Sequence, residues 1–369
     1  MIKKVIIIDA LNSYLRSYIV NPSVSKNGIP IGGVRGFLGT LQKFCGEIRP
    51  DKIVVAWDGP DGSESKRRVN EGYKQGRRPI RLNRNIAMLS EEQEFKNKVW
   101  QQRRLVEYLN KMPISQLLVG DLEADDVIAY TKLIMPGWKK IIISSDKDFI
   151  QLCDEETILY RPVQKEVLTS KKVIEKYGIS PLNFALARAM AGDKSDNLPG
   201  VPRVGLKTVA KRFPFFAEER QVSFDRLYDF CEEKKGKVKI FENVLENKEI
   251  IESNYSIMQL YGSTFNNVRK YIINEAVYNM PLDLNQTGIL NMMNGDAFTD
   301  YNWDVLFSTF RYMILSQVNK EVPYQICIIC GRKCMGKSNY MESECGVRLP
   351  LCSEKCEEED VQMGKNRKK

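Results

Sequence analysis

The sequence predicts an α/β fold built on a parallel sheet. Apolar, β-branched runs recur at residues 5–8, 53–56 and 141–143, and helix-length segments separate them. Each run leads into an aspartate, Asp9, Asp58 or Asp146. Continuous apolar runs mark strands covered on both faces, and parallel strands need crossover connections of helical length.

Weaker strand candidates lie at 116–119 and 157–160. Helical periodicity predicts helices over 34–47, 96–110, 124–133, 170–177 and 181–190, the last with Pro181 in its first turn. The stretch 59–94 lacks a sustained apolar stripe and reads as a mobile excursion. Beyond about residue 214 the pattern turns mixed and helical, and there is no internal repeat.

Composition narrows the chemistry. The 369 residues carry a formal charge of +9 and 43% apolar content, enough for a sizeable core and a bias towards an anionic partner. Histidine is absent, so Ser/His/Asp triads and His-ligated metals are excluded. No apolar run approaches the roughly 20 residues of a membrane span, and the N-terminus enters a strand instead of a signal peptide. A soluble, cytoplasmic protein is expected.

The strand-end aspartates face one crevice if the sheet is open and parallel. Asp148 follows Asp146, and the segment 122–126 adds Glu123, Asp125 and Asp126 at a helix start, with Glu123 and Asp126 on one face. Asp193 and Asp196 form a further pair. An aspartate after a strand is often only a helix cap or turn former. Nine such acids gathered together would instead repel one another unless divalent cations neutralised them. Oxygen-only ligands suit Mg²⁺ or Mn²⁺, and two ions about 4 Å apart can hydrolyse a phosphodiester.

Directly after Asp58, residues 66–84 carry eight cations, Lys66, Arg67, Arg68, Lys74, Arg77, Arg78, Arg81 and Arg84, against the single acid Glu71. Tyr73 is interleaved. Such a segment suits gripping phosphates and stacking a base, although a basic loop can also be merely solvated. Residues 198–208 read as a tight turn in which Gly200 and Gly205 let the backbone approach a partner. A helix start at Lys207 and Thr208 follows, where amides can hold phosphate.

The motifs LEADD (122–126), ISSDKDF (143–149) and GDKSDNLPGV (192–201) resemble, in order and spacing, those of the 5′-nuclease superfamily. That superfamily comprises flap endonucleases, the 5′-exonuclease domains of bacterial DNA polymerases, and bacteriophage ribonuclease H, and the bacteriophage branch looks closest. The resemblance covers about residues 4–213 and implies a PIN-like parallel sheet, a helical arch over the 5′ strand and a helix-hairpin-helix element. It implies that Asp9, Asp58, Glu123, Asp125, Asp126 and Asp146 surround the metal nearest the scissile phosphate, with Asp148, Asp193 and Asp196 around a second metal. SKRRVNEGYKQGRR (65–78) implies that Lys74 and Arg77 face the reacting phosphate with Tyr73 nearby, and Arg188 matches a substrate-contacting position. The hairpin element often holds K⁺ in the family, but Arg203 stands where its first glycine is usual.

Six of the nine cysteines fall between Cys327 and Cys356. Two close pairs, Cys327 with Cys330 and Cys352 with Cys356, have the spacing of a tetrahedral Zn²⁺ site, and LCSEKC resembles the second half of a treble-clef module. Disulfides or free thiols are the alternatives.

The expected organisation is therefore a 5′-nuclease core over 1–191 with an arch at 59–94, a helix-hairpin-helix and helical region over 192–320, and a zinc module with a basic tail over 321–369. The expected activity is Mg²⁺-dependent 5′-to-3′ exonuclease and flap-endonuclease cleavage of DNA with 5′ flaps or of RNA–DNA hybrids, in DNA replication or repair. A sliding clamp or single-strand-binding protein would be a partner. A PIN-type ribonuclease and a catalytically inactive junction-binding scaffold are the alternatives.

Overall fold

The computed structural model describes residues 2–75, 89–260 and 265–318, together with the backbone of four short strands beyond them. Its centre is a six-stranded sheet of β1 (Lys4–Asp9), β2 (Lys52–Trp57), β3 (Ser115–Leu118), β4 (Lys139–Ile143), β5 (Thr157–Arg161) and β6 (Glu166–Leu168), in the order β3-β2-β1-β4-β5-β6. The first five strands are parallel, and β6 pairs antiparallel with β5, so the sheet is mixed and not purely parallel as expected. Three residues with only one apolar side chain facing the core left β6 without a recognisable run.

Alternation along each strand divides the interior in two. Val5, Ile7, Val54, Ala56 and Ile142 point into one apolar cluster, whereas Ile6, Ile8, Ile53, Val55, Ile141 and Ile143 point into the other. The runs are continuous because both faces are covered.

Helix α1 (Ala10–Val20) follows β1 without a break, and the sequence reading missed it. No glycine or proline separates the two elements; the boundary is made by Asp9, whose carboxylate accepts the Asn12 N–H at 3.2 Å as the cap of α1. Helix α2 (Gly32–Ile48) packs on α1. Within the excursion after β2, α3 (Glu64–Val69) and a turn at 70–75 fold back over the sheet end. Residues 76–88, with Arg77, Arg78, Arg81 and Arg84, lie outside the described residues. Helix α4 (Glu91–Leu109) starts earlier than its apolar stripe, because Ser90 and Gln93 form a reciprocal capping box.

Next come α5 (Ala124–Leu133), α6 (Ser170–Tyr177), α7 (Pro181–Ala191) and α8 (Leu206–Arg212). Six more helices complete the described chain: α9 (Phe224–Glu233), α10 (Lys239–Glu246), α11 (Lys248–Met258), α12 (Asn267–Tyr278), α13 (Gln286–Gly295) and α14 (Asp304–Val318). Residues beyond 192 enter both clusters: Phe213, Phe241 and Ile273 join the first, and Ile289, Phe298 and Phe310 the second. The segment 192–318 therefore shares the cores of the sheet. Cys327, Cys330, Cys352 and Cys356 lie outside the described residues.

The hairpin after α7 is closed by its own chain. A methyl group on Gly200 would stand 2.2 Å from the Ala191 carbonyl oxygen, whereas one on Gly205 would meet nothing within 4 Å. Asn254 of α11 donates to the carbonyls of Ala189 at 3.0 Å and Pro199 at 2.7 Å, clamping the hairpin to α7. The close approach predicted for Gly200 is thus made, at its α-carbon, to the end of α7. Gly200→Ala is expected to lower unfolding stability by about 1–3 kcal/mol in denaturant titration, the usual cost of overpacking. Gly205→Ala should leave it within about 0.5 kcal/mol; equal losses for both would contradict this account of the turn.

Candidate active site

The strand order turns at β1 and β4, so the carboxyl ends of these strands open a crevice at the switch point. Asp9 ends β1, Asp58 follows β2, and Asp146 lies just past β4. The Ser144 hydroxyl donates to Asp9 at 2.8 Å and accepts the Asp146 N–H at 3.1 Å, fixing the two loops against each other. Asp58 accepts the Ala124 N–H at 2.8 Å and so ties the end of β2 to the start of α5. Burial pushes Asp9 up to about 7; the hydrogen bond from Ser144 opposes this, while the charges of Asp58 and Asp146 add to it.

At the start of α5, Glu123, Asp125 and Asp126 each offer a carboxylate oxygen within 4.8 Å of the others, the one such group of three among the described residues. Glu123 is the cap residue of α5 and is 4% exposed. The Lys66 ammonium stands 2.7 Å from Glu123, 3.1 Å from Asp125 and 3.3 Å from Asp126. Lys74 also pairs with Glu123, and the Tyr73 hydroxyl donates to it at 3.2 Å. Burial raises Asp125 and Asp126; it also opposes the ionised form of Glu123, but Lys66 and Lys74 outweigh it there and hold Glu123 below the usual range. Lys66 itself is disfavoured by burial, yet the three acids more than compensate and keep it charged.

These contacts revise two expectations. Lys66 is 8% exposed and Tyr73 is 4% exposed, so neither is presented to a phosphate or a base in this conformation. Both are drawn inward because they supply the positive charge and the donor that the acids need. Arg67 and Arg68 of the same helix point outward and remain exposed.

A second acidic group lies across the crevice. Arg188, 8% exposed on α7, bridges Asp148 at 2.8 Å and Asp193 at 2.7 Å. It therefore holds two acids together, a role the sequence did not suggest. Burial, together with the charge of Asp146, pushes Asp148 up to about 7. Asp193 meets burial that would raise it, but bonds from Ser195 and the Arg188 charge take it below the usual range. The Asp196 carbonyl accepts the Lys74 N–H at 2.9 Å, and Asn197 donates to the Gly72 carbonyl at 3.0 Å, so the hairpin docks on the 70–75 turn. Ser144, Ser195 and Asn197 were not singled out in the sequence; their adjacency to the aspartates in ISSDKDF and GDKSDN was the available signal.

Arg203 adopts a left-handed backbone, φ 64°, at the position where the family usually has glycine. Gly205 and Lys207 are exposed and Thr208 is half-buried, at the start of α8.

Fold and crevice together define an α/β protein with an all-oxygen site suited to hard divalent cations. The model for the 5′-3′ exonuclease, N-terminal resolvase-like domain matches residues 4–178. The chain is 33% identical over 211 residues to a 5′-3′ exonuclease of Aquifex aeolicus, covering 56% of this chain and 67% of that protein. It is 33% identical over 212 residues to a 5′-3′ exonuclease of Buchnera aphidicola, covering 56% and 68%. It is also 26% identical over 263 residues to the flap endonuclease Xni of Shewanella woodyi, covering 69% and 92%. The chain belongs to the 5′-3′ exonuclease family. In fold it matches T5 5′-exonuclease bound to divalent metal ions (zinc), with TM-score 0.56 and 17% identity over 80% of this chain and 99% of that one. The bacterial relatives do not single out the bacteriophage branch.

Because Asp9 and Asp148 both sit near pH 7 without metal, they are largely neutral below that value and ionised above it. Metal binding requires the ionised forms. Mn²⁺ affinity, measured by titration, should therefore fall between pH 8 and pH 6, by up to about tenfold per proton displaced for each pH unit below 7. An affinity flat across that interval would show that these two acids do not titrate with the site.

Proposed function

We propose that this chain is a Mg²⁺-dependent 5′-nuclease that hydrolyses phosphodiesters near 5′ ends of flapped DNA or RNA–DNA hybrids. The supporting observation is the convergence of Asp9, Asp58, Asp146 and the Glu123, Asp125, Asp126 group on one switch-point crevice in a member of the 5′-3′ exonuclease family. Three carboxylates close enough to share one cation, with a lysine ammonium already among them, fit a divalent ion. Asp9, Asp58, Glu123, Asp125, Asp126 and Asp146 would hold the ion nearest the reaction, and Asp148, Asp193 and Asp196 would serve a second. Bound ions would supply Lewis-acid stabilisation of the phosphate and lower the pKa of an attacking water.

The chain's own side chains position these groups. Ser144 orients Asp9, Arg188 spaces Asp148 from Asp193, and Asp58 fixes the helix that carries the three clustered acids. Lys74 stands at the rim of the acidic group, and Arg77 follows it in sequence; both suit neutralising the reacting phosphate. The exposed Arg67 and the α8 start with Gly205, Lys207 and Thr208 suit backbone phosphates farther along the duplex, where contacts are sequence-independent. K⁺ at the hairpin, a role in DNA replication or repair, and a clamp or single-strand-binding partner belong to the same reading.

Asp146→Ala is expected to reduce Mg²⁺-dependent cleavage of a 5′-flap substrate by at least about a thousandfold while sparing binding measured in Ca²⁺. Undiminished cleavage would refute the assignment. For residues 321–369 we propose a zinc module held by Cys327, Cys330, Cys352 and Cys356. Elemental analysis should find about one Zn per chain, lost on replacing Cys327 and Cys330 by Ser; a zinc-free, normally folded chain would exclude it.

A further inference from the structure

We propose that the Lys66 ammonium is a resident stand-in for a divalent cation: metal entry at Glu123, Asp125 and Asp126 expels it and releases α3 and the 70–75 turn from the crevice. The proposal rests on the reading of those three acids as metal ligands. The ammonium lies within 3.3 Å of all three carboxylates, which themselves lie within 4.8 Å of one another, so it occupies the space a shared ion needs. A Mg²⁺ ion sits about 2.0–2.1 Å from its oxygen ligands, and two cations cannot use the same three acids at that separation.

The consequence reaches beyond one side chain. Lys66, Tyr73 and Lys74 all take hold of Glu123, and the turn between them reaches the hairpin through Lys74 N–H to Asp196 and Asn197 to Gly72. These polar contacts pin the inner side of residues 66–75 together with the Tyr73 ring, which is buried in the first apolar cluster. Neutralising the acids from another source removes the reason for burying Lys66, since a buried ammonium without partners is costly. The expelled ammonium then joins exposed Arg67 and Arg68, presenting three adjacent cations to a phosphate backbone. Metal occupancy would thus convert an internal counter-ion into a substrate-facing one.

The test uses the full chain and Mn²⁺ alone. Lys66→Met should bind Mn²⁺ about tenfold more tightly than the natural chain, because the competing cation is gone, while Lys66→Arg should not gain affinity. Hydrogen exchange at residues 64–75 of the natural chain should rise on adding Mn²⁺, and should not rise in Glu123→Gln. Unchanged or weaker Mn²⁺ binding by folded Lys66→Met, or exchange at 64–75 that stays level or falls in the metal-bound natural chain, overturns the proposal. The exchange measurement decides alone if Lys66→Met does not fold. Absence of Mn²⁺ binding, or Glu123→Gln binding like the natural chain, instead defeats the metal reading of the three acids and the proposal with it.

Discussion

Mutual repulsion among carboxylates is the constraint around which the rest of this structure is arranged. Nine acids approach one crevice, and the chain accommodates them in three ways. Lys66 and Lys74 supply positive charge to Glu123, Asp125 and Asp126, and Arg188 does the same between Asp148 and Asp193. Asp9 and Asp148 are driven by burial towards their neutral forms. Asp9, Asp58 and Asp193 also accept hydrogen bonds that fix their rotamers. Each device costs conformational freedom or a desolvated cation, and none adds to the apolar core. Buried ion pairs are weak sources of stability, so their concentration here is better explained by a task for the site than by the needs of the fold.

The parts legible in the sequence were those governed by local pattern. Buried parallel strands betray themselves as unbroken runs, and the strand-end aspartates follow from the register of a sheet whose carboxyl ends share one side. The helix over Ala124–Leu133 was recognisable because polar and apolar positions alternate with helical period. Helix α1 was not, since its start is marked only by Asp9, a residue equally suited to ending a strand. The short β6 carries too few apolar side chains to register.

Side-chain direction in the basic segment was hidden for a different reason. Eight cations in a polar stretch read as a solvent-facing surface, and for Arg67 and Arg68 that is correct. Lys66 differs only in where α3 sets it, opposite acids 57 to 60 residues away in sequence, and no local periodicity records such a pairing. Gly200 illustrates the same limit: a glycine in a turn signals a close approach, but the sequence does not record that the end of α7 is what its α-carbon packs against.

Three segments distant in sequence, 66–75, 122–126 and 193–198, meet through a small set of polar contacts centred on Glu123 and the Asp196 carbonyl. Their association combines that charge balance with apolar burial, since Tyr73, Leu122, Ala124 and Leu198 share the first apolar cluster. The sheet and its two clusters are held by the hydrophobic effect, which does not respond to ions; the crevice rim adds to its share of the first cluster a set of interactions that do. Placing the charge-held elements on a rigid sheet end lets the rim respond to a cation or a phosphate without disturbing the strands that position Asp9, Asp58 and Asp146. At Arg203 the hairpin keeps a left-handed turn at about 1–2 kcal/mol of backbone strain for a non-glycine residue, and the exposed arginine there adds positive charge to the hairpin surface.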